Sequence, residues 1–91
     1  MKKAATQRER RYMAKVAALG CIVPDCEAEA NIHHIRTGYG GGQKAPHQLI
    51  IPLCKEHHQG DFSIHGSPRE FQNVIGSELD LLAQTIYMLN D

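Results

Sequence analysis

At 91 residues with a formal net charge of zero, the chain has room for one domain and not for a second. Aromatic residues make up 5% of it and Trp is absent, which excludes a large aromatic core; a chain of this size buries only roughly 60% of its unfolded surface and commonly needs a staple. Three cysteines are an odd number for a closed disulfide framework, and no apolar run is long enough for a signal peptide or a membrane span, so the expectation is a reduced, cytoplasmic chain that uses its thiols on metal.

Charge is unevenly spread. Residues 1–20 carry Lys2, Lys3, Arg8, Arg10, Arg11 and Lys15 against Glu9 alone, whereas residues 69–91 carry Arg69 against Glu70, Glu78, Asp80 and Asp91. The basic arm reads as a phosphate contact or, equally, as a solvated helix face. Thr6-Gln7-Arg8-Glu9 is a capping-box pattern that predicts a helix over about 7–19, with Tyr12, Met13, Val16 and Leu19 toward the core and Gly20 as its stop.

Cys21-Ile-Val-Pro-Asp-Cys26 follows as C-x4-C in a turn, and Cys54-Lys-Glu-His57 supplies C-x2-H. Cys21, Cys26, Cys54 and His57 make a Cys3His tetrahedral zinc set that uses every thiol of the chain; the plainer alternative is three unrelated buried cysteines. A metal closing the chain between 26 and 54 would offset the small core.

Residues 31–36 read as a strand containing His33 and His34. Four glycines in the five positions 38–42 then demand a surface loop, which lacks the Lys-Ser/Thr ending of a phosphate-binding P-loop. Leu49–Leu53 reads as a second strand with Pro52 near its end or on an edge, and helix signals resume at about Cys54 until Gly60 interrupts them. Ser67-Pro-Arg-Glu70 predicts a second capping box and a short helix to about Ile75. Ser77-Glu-Leu-Asp80 opens a last helix to about Leu89, with Leu79, Leu82 and Ile86 as its inner stripe and Leu81, Ala83 and Leu89 broadening it. The expected domain is α+β: a basic helix over 1–19, a zinc knuckle and ββα core over 20–66, and a helical scaffold over 67–91.

With His57 on the structural zinc, His58 is free for other work, since adjacent helical residues point about 100° apart. A divalent metal on His58 with an unligated histidine, His34, opposite it is a minimal phosphodiesterase: the metal polarises a phosphoryl oxygen and the free imidazole takes a proton from water. His65 would share the face of His58 on an unbroken helix, and Asp61 is the alternative ligand if the chain turns at Gly60. On a regular strand His33 and His34 point to opposite faces, so both serve one site only if the strand is twisted or bulged; otherwise one of them packs.

His33-His34-Ile35, a glycine-rich loop and then Ile-Pro-Leu-Cys-x-x-His-His, in this order, resembles the HNH (ββα-metal) endonucleases, and within them the phage Ref-like, RecA-dependent recombination-enhancement nucleases. The resemblance covers about residues 20–66. It implies a zinc-stabilised ββα-metal domain, here flanked by an N-terminal helix and two C-terminal helices, that hydrolyses DNA phosphodiester bonds in the cytoplasm of a bacterial host. It carries the general base onto His34, the catalytic metal onto His33, His58 and His65, and the zinc onto Cys21, Cys26, Cys54 and His57. The implied catalytic ion is Mg²⁺ or Mn²⁺, or Zn²⁺ as purified, and the implied partners are DNA and a RecA-type filament. Arg36, Lys44 and Arg69 are expected at phosphates near the cut, with Arg8 and Arg11 further along the backbone. The family's middle Asn has no clear counterpart; His47 or Gln48 stands nearest its place, and the spacing from His58 to His65 is longer than the family's usual three-residue gap. The second reading is a non-catalytic zinc module that binds DNA or a recombinase, which asks nothing of His34 or His58.

Overall fold

The computed structural model describes residues 4–90; Lys2 and Lys3 of the basic arm, and Asp91, lie outside them. Its elements are α1 (Gln7–Ala18), β1 (Asn31–His34), β2 (Ile50–Leu53), α2 (Lys55–Gln59), α3 (Pro68–Val74) and α4 (Glu78–Leu89). The capping box of α1 is made: Thr6 Oγ1 accepts the Glu9 N–H at 3.0 Å and Glu9 Oε1 accepts the Thr6 N–H at 2.8 Å. Gly20, at φ 79°, ends the helix in the left-handed region that favours glycine. Val16 is fully buried, and Tyr12, Met13 and Leu19 are half-buried beside it.

β1 and β2 form an antiparallel pair with Asn31 opposite Leu53 and His34 opposite Ile50, with no residue left over on either strand. All four residues of β2 are buried, and the strand packs against α1, α2 and α4. The cysteine turn is stitched to this strand by the Ile22 N–H, which donates to Pro52 O at 3.0 Å. β1 is shorter than the expected 31–36. Ile35 still donates its N–H across to Leu49 O, but the N–H groups of Arg36 and Thr37 turn away from β2 to the carboxylate of Glu78, and the pairing stops there.

Gly60 ends α2 after five residues. The segment after it folds back: the Ile64 N–H donates to His57 O at 2.9 Å and the His65 N–H to His58 O at 3.2 Å. Fully buried Ser63 locks this turn, its Oγ donating to Gly60 O at 2.7 Å and accepting the Gly66 N–H at 2.7 Å. A Cβ at Gly66 would collide with the Gly60 carbonyl, which is backbone and cannot swing aside. Gly66→Ala should therefore cost about 1–3 kcal/mol of stability, as overpacking does. A chemical-denaturation midpoint equal to wild type would show that the turn yields more easily than this geometry implies.

Two expectations for the C-terminal helices need correction. The capping box at Ser67 is absent: its hydroxyl accepts the Ser63 N–H at 3.1 Å and caps no N–H of α3. The inner stripe of α4 is also rotated. Leu79 and Ile86 are 53% and 42% exposed and Ala83 is exposed, while Leu81, Leu82 and Thr85 are buried. The cause is Glu78. Its carboxylate is drawn inward to β1, and the residues three, four and seven positions on, Leu81, Leu82 and Thr85, share its face. The Thr85 hydroxyl is satisfied in the core by donating to Leu81 O at 2.8 Å. The core thus joins Ile22, Val23, Ile35, Ile51, Leu53, Phe71, Leu81 and Leu82 around the sheet and the cysteine turn.

Candidate metal centres

Cys21 and Cys26 come from the turn after α1, Cys54 is the N-cap of α2 and His57 lies one turn into that helix. Their ligand atoms all lie within 4.8 Å of one another. A tetrahedral zinc about 2.3 Å from sulfur and about 2.0 Å from nitrogen sets ligand edges of about 3.8 Å between sulfurs and about 3.5 Å between sulfur and nitrogen. The edges here are 3.8 Å for Cys26 Sγ to Cys54 Sγ, 3.5 Å for Cys21 Sγ to His57 Nδ1 and 3.2 Å for Cys54 Sγ to His57 Nδ1, so the four residues fit a zinc ion. Burial pushes the Cys21 thiol up to about 11. Burial also acts on Cys54, but the His57 N–H and the neighbouring thiols outweigh it and hold that thiol below its ordinary value.

A second group lies on the other side of α2. His33, His58 and His65 also bring one ring nitrogen each within 4.8 Å of the others. His58 Nε2 and His65 Nε2 are 3.1 Å apart, and the His33 ring centroid is 5.1 Å from that of His58 and 5.0 Å from that of His65. Ligand edges of about 3.0–3.4 Å are what imidazoles around a zinc or an octahedral divalent ion require, so this set fits a metal as well. His65 reaches His58 through the turn locked by Ser63, and not along a continuous helix. Asp61 is exposed and belongs to neither group.

His33 is buried and His65 is exposed, which leaves one side of the triad open. Burial pushes His33 down, against the pull of Glu78, and burial with the charges of His33 and His65 does the same to His58. Neutral imidazole is the form that ligates metal.

His34 is not among the triad's ligand atoms, and its Nε2 is 2.9 Å from His47 Nδ1. Burial, followed by the charges of Lys44, His47 and His33, pushes His34 down too. No bulge is needed for both histidines to serve one site, because a cavity of about 250 Å³ runs along β1 and is lined by His33, His34, His58 and His65 together, with Arg36 and Lys44 beside them. A larger groove of about 450 Å³ opens beyond His33 and His65, toward Phe71, Glu78 and Leu79. Arg69 is exposed and lines neither cavity, and Arg8 and Arg11 are exposed on α1. Gln48 is exposed, so of the two residues nearest the missing Asn it is His47 that meets His34.

The residue that sequence reasoning passed over is Glu78. Oε2 accepts from His33 Nε2 at 2.6 Å and from the Arg36 N–H at 2.9 Å; Oε1 accepts from the Arg36 N–H at 2.9 Å, the Thr37 N–H at 2.8 Å and the Thr37 hydroxyl at 2.7 Å. Burial raises this carboxyl, but the hydrogen bonds from Thr37, His33 and Arg36 win and hold it below the ordinary glutamate value. The signal available was a charge at the head of an otherwise apolar face, Glu78-Leu81-Leu82-Thr85.

Fold and site together define a small α+β chain, with a two-stranded sheet and four helices among the described residues, that carries two groups of potential metal ligands. Among the described residues no helix is long and apolar enough to cross a membrane. The chain belongs to the family described as "Protein of unknown function (DUF968)", which matches residues 1–89. It is 30% identical over 79 residues to the uncharacterized protein YdfU of Escherichia coli (strain K12), a match that covers 86% of this chain and 22% of that relative's length.

Proposed function

We propose that the chain is a metal-dependent DNA endonuclease of the HNH (ββα-metal) type. One observation carries this reading: a single cavity is lined by three histidines that converge on a potential metal position, by a fourth histidine outside that group, and by Arg36 and Lys44. A purely structural zinc module accounts for Cys21, Cys26, Cys54 and His57 but not for that convergence. The order β1, β2, α2, with zinc ligands before the hairpin and at the head of the helix, supports the same reading.

A divalent ion held by His33, His58 and His65 would supply Lewis acidity to the phosphoryl oxygen and to the leaving 3′-oxygen. Of the ions the resemblance implies, three imidazoles favour zinc over magnesium and manganese, which suit oxygen ligands better. His34 is the general base. With its Nε2–H donated to His47 Nδ1, its Nδ1 keeps the lone pair that removes a proton from water. The water oxygen forms the new bond to phosphorus as the bond to the 3′-oxygen breaks, and solvent protonates that oxygen, leaving 5′-phosphate and 3′-hydroxyl ends. Arg36 and Lys44 hold the flanking phosphates, and Arg8 and Arg11 on α1 extend the basic track along the DNA.

The test is cleavage of supercoiled plasmid by purified protein in Mn²⁺, Mg²⁺ or Zn²⁺, wild type beside His58→Ala, with structural zinc measured in both. Cleavage by wild type alone, at equal zinc, supports the nuclease. No cleavage by zinc-loaded wild type in any of these ions, with or without an added RecA-type filament, would leave the non-catalytic DNA- or recombinase-binding module as the better reading.

A further inference from the structure

We propose that Glu78 is a positioning residue for the histidine centre: it holds His33 by Nε2 and thereby decides which ring nitrogen is offered to the metal. This rests on the reading of His33, His58 and His65 as a metal centre. A carboxylate that accepts five short contacts from N–H and O–H groups is an acceptor only, so the proton of the 2.6 Å contact sits on His33 Nε2 and the lone pair sits on Nδ1. Histidines that ligate metals characteristically donate their other N–H to such a partner, which fixes the tautomer and the ring plane and makes the ligand more basic.

The rest of the geometry argues that this is more than a helix cap. The capping of α4 is already complete without Glu78: Ser77 Oγ accepts the Asp80 N–H at 3.1 Å and Asp80 Oδ2 accepts the Ser77 N–H at 3.2 Å. Placement of α4 by apolar burial alone would turn Leu79 inward, yet Leu79 is 53% exposed and the carboxylate of its neighbour faces His33. The same carboxylate holds the backbone of Arg36 and Thr37 where β1 ends. It thus sets the ring of a candidate metal ligand and the position of a cation that lines both cavities with a single group.

Two measurements on zinc-replete protein test this. The first is the His33 tautomer, read from long-range ¹⁵N–¹H correlations of the imidazoles with no further metal added. Wild type should carry the proton on Nε2. In Glu78→Gln the amide oxygen can still accept from Arg36 and Thr37, while the amide N–H meets His33 Nε2 as a donor and moves the ring proton to Nδ1. The second is titration with Co²⁺, followed by its visible bands under conditions where the cysteine site keeps its zinc and no thiolate charge-transfer band grows in. Glu78→Gln should weaken the second site by about 10–100-fold, and Glu78→Asp, which keeps a carboxylate, should restore the Nε2–H tautomer and part of the affinity. Cobalt bound at the histidine centre as tightly by Glu78→Gln as by wild type overturns the proposal alone, as does a wild-type His33 protonated on Nδ1. Zinc-replete wild type that takes up no cobalt overturns the metal-centre reading, and the proposal with it.

Discussion

Cys54→Ser should lose the structural zinc and with it the cooperative fold. Cys54 is the pivot of the cysteine site: its sulfur is 3.8 Å from Cys26 Sγ and 3.2 Å from His57 Nδ1, and it accepts the His57 N–H at 3.4 Å. Serine preserves the last of these roles, since it is a favoured N-cap, so helix initiation is not what the substitution removes. It removes the thiolate. Structural zinc contributes on the order of 10–16 kcal/mol in zinc-finger peptides, against a net stability of about 5–15 kcal/mol for an ordinary domain. This chain ties its cysteine turn to β2 by the Ile22 N–H and by the packing of Ile22 and Val23 into a core that is small. Loss of the ion therefore exceeds the margin. The expected result is one tightly held zinc per wild-type chain, a cooperative thermal transition by circular dichroism, and loss of that transition in Cys54→Ser or after wild type is stripped with a strong chelator. A Cys54→Ser protein that melts cooperatively at the wild-type temperature would show that the apolar core suffices, and that the four residues are close without holding a metal.

What could be read from the chain in advance followed from residue types with few other uses. Three cysteines and one histidine at short spacings converge on one point because a turn and a helix N-terminus bracket the hairpin, and both are locally encoded, by Pro24-Asp25 and by the run after Pro52. The hairpin was visible for the same reason: a loop with four glycines in five positions separates two short apolar runs. The contacts of polar side chains were not visible. His65 joins His58 by a turn that depends on buried Ser63 and on the close approach of Gly66 to Gly60, which helical periodicity does not encode. The rotation of α4 is not encoded in its apolar pattern, which sets a glutamate outside, whereas Glu78 meets donors that lie 41–45 residues earlier in the chain. The Ser67 cap failed similarly, its hydroxyl being claimed by Ser63. Local signals thus placed the elements, and polar side-chain contacts, both near and far in sequence, set their orientation.

His34→Ala, on the proposed reading, should lower the rate of plasmid cleavage by about 10²–10⁴-fold, the usual contribution of a positioned general base, and leave both metal sites intact. The separation is geometric. His34 faces His47 and the cavity, while His33, its neighbour on β1, faces His58 and His65, so removing the His34 ring takes nothing from the ligand set. Nor should stability change much, because His34 is only half-buried and its ring contact is with another half-buried side chain. His33→Ala and His58→Ala should also lose cleavage, but together with cobalt binding at the histidine centre, and that difference distinguishes base from ligand. His47 gives an intermediate case. On the proposed mechanism its Nδ1, 2.9 Å from His34 Nε2, accepts from that ring and leaves His34 Nδ1 free, so His47→Ala should reduce the rate less than His34→Ala does, and His47→Asn, whose side-chain oxygen can accept the same proton, should recover part of it. Zinc content, cobalt affinity and single-turnover rate, measured on the same preparations, decide the assignment. Equal cleavage by His34→Ala and wild type, with both metals bound, would remove His34 from the chemistry and leave the triad to be explained without it.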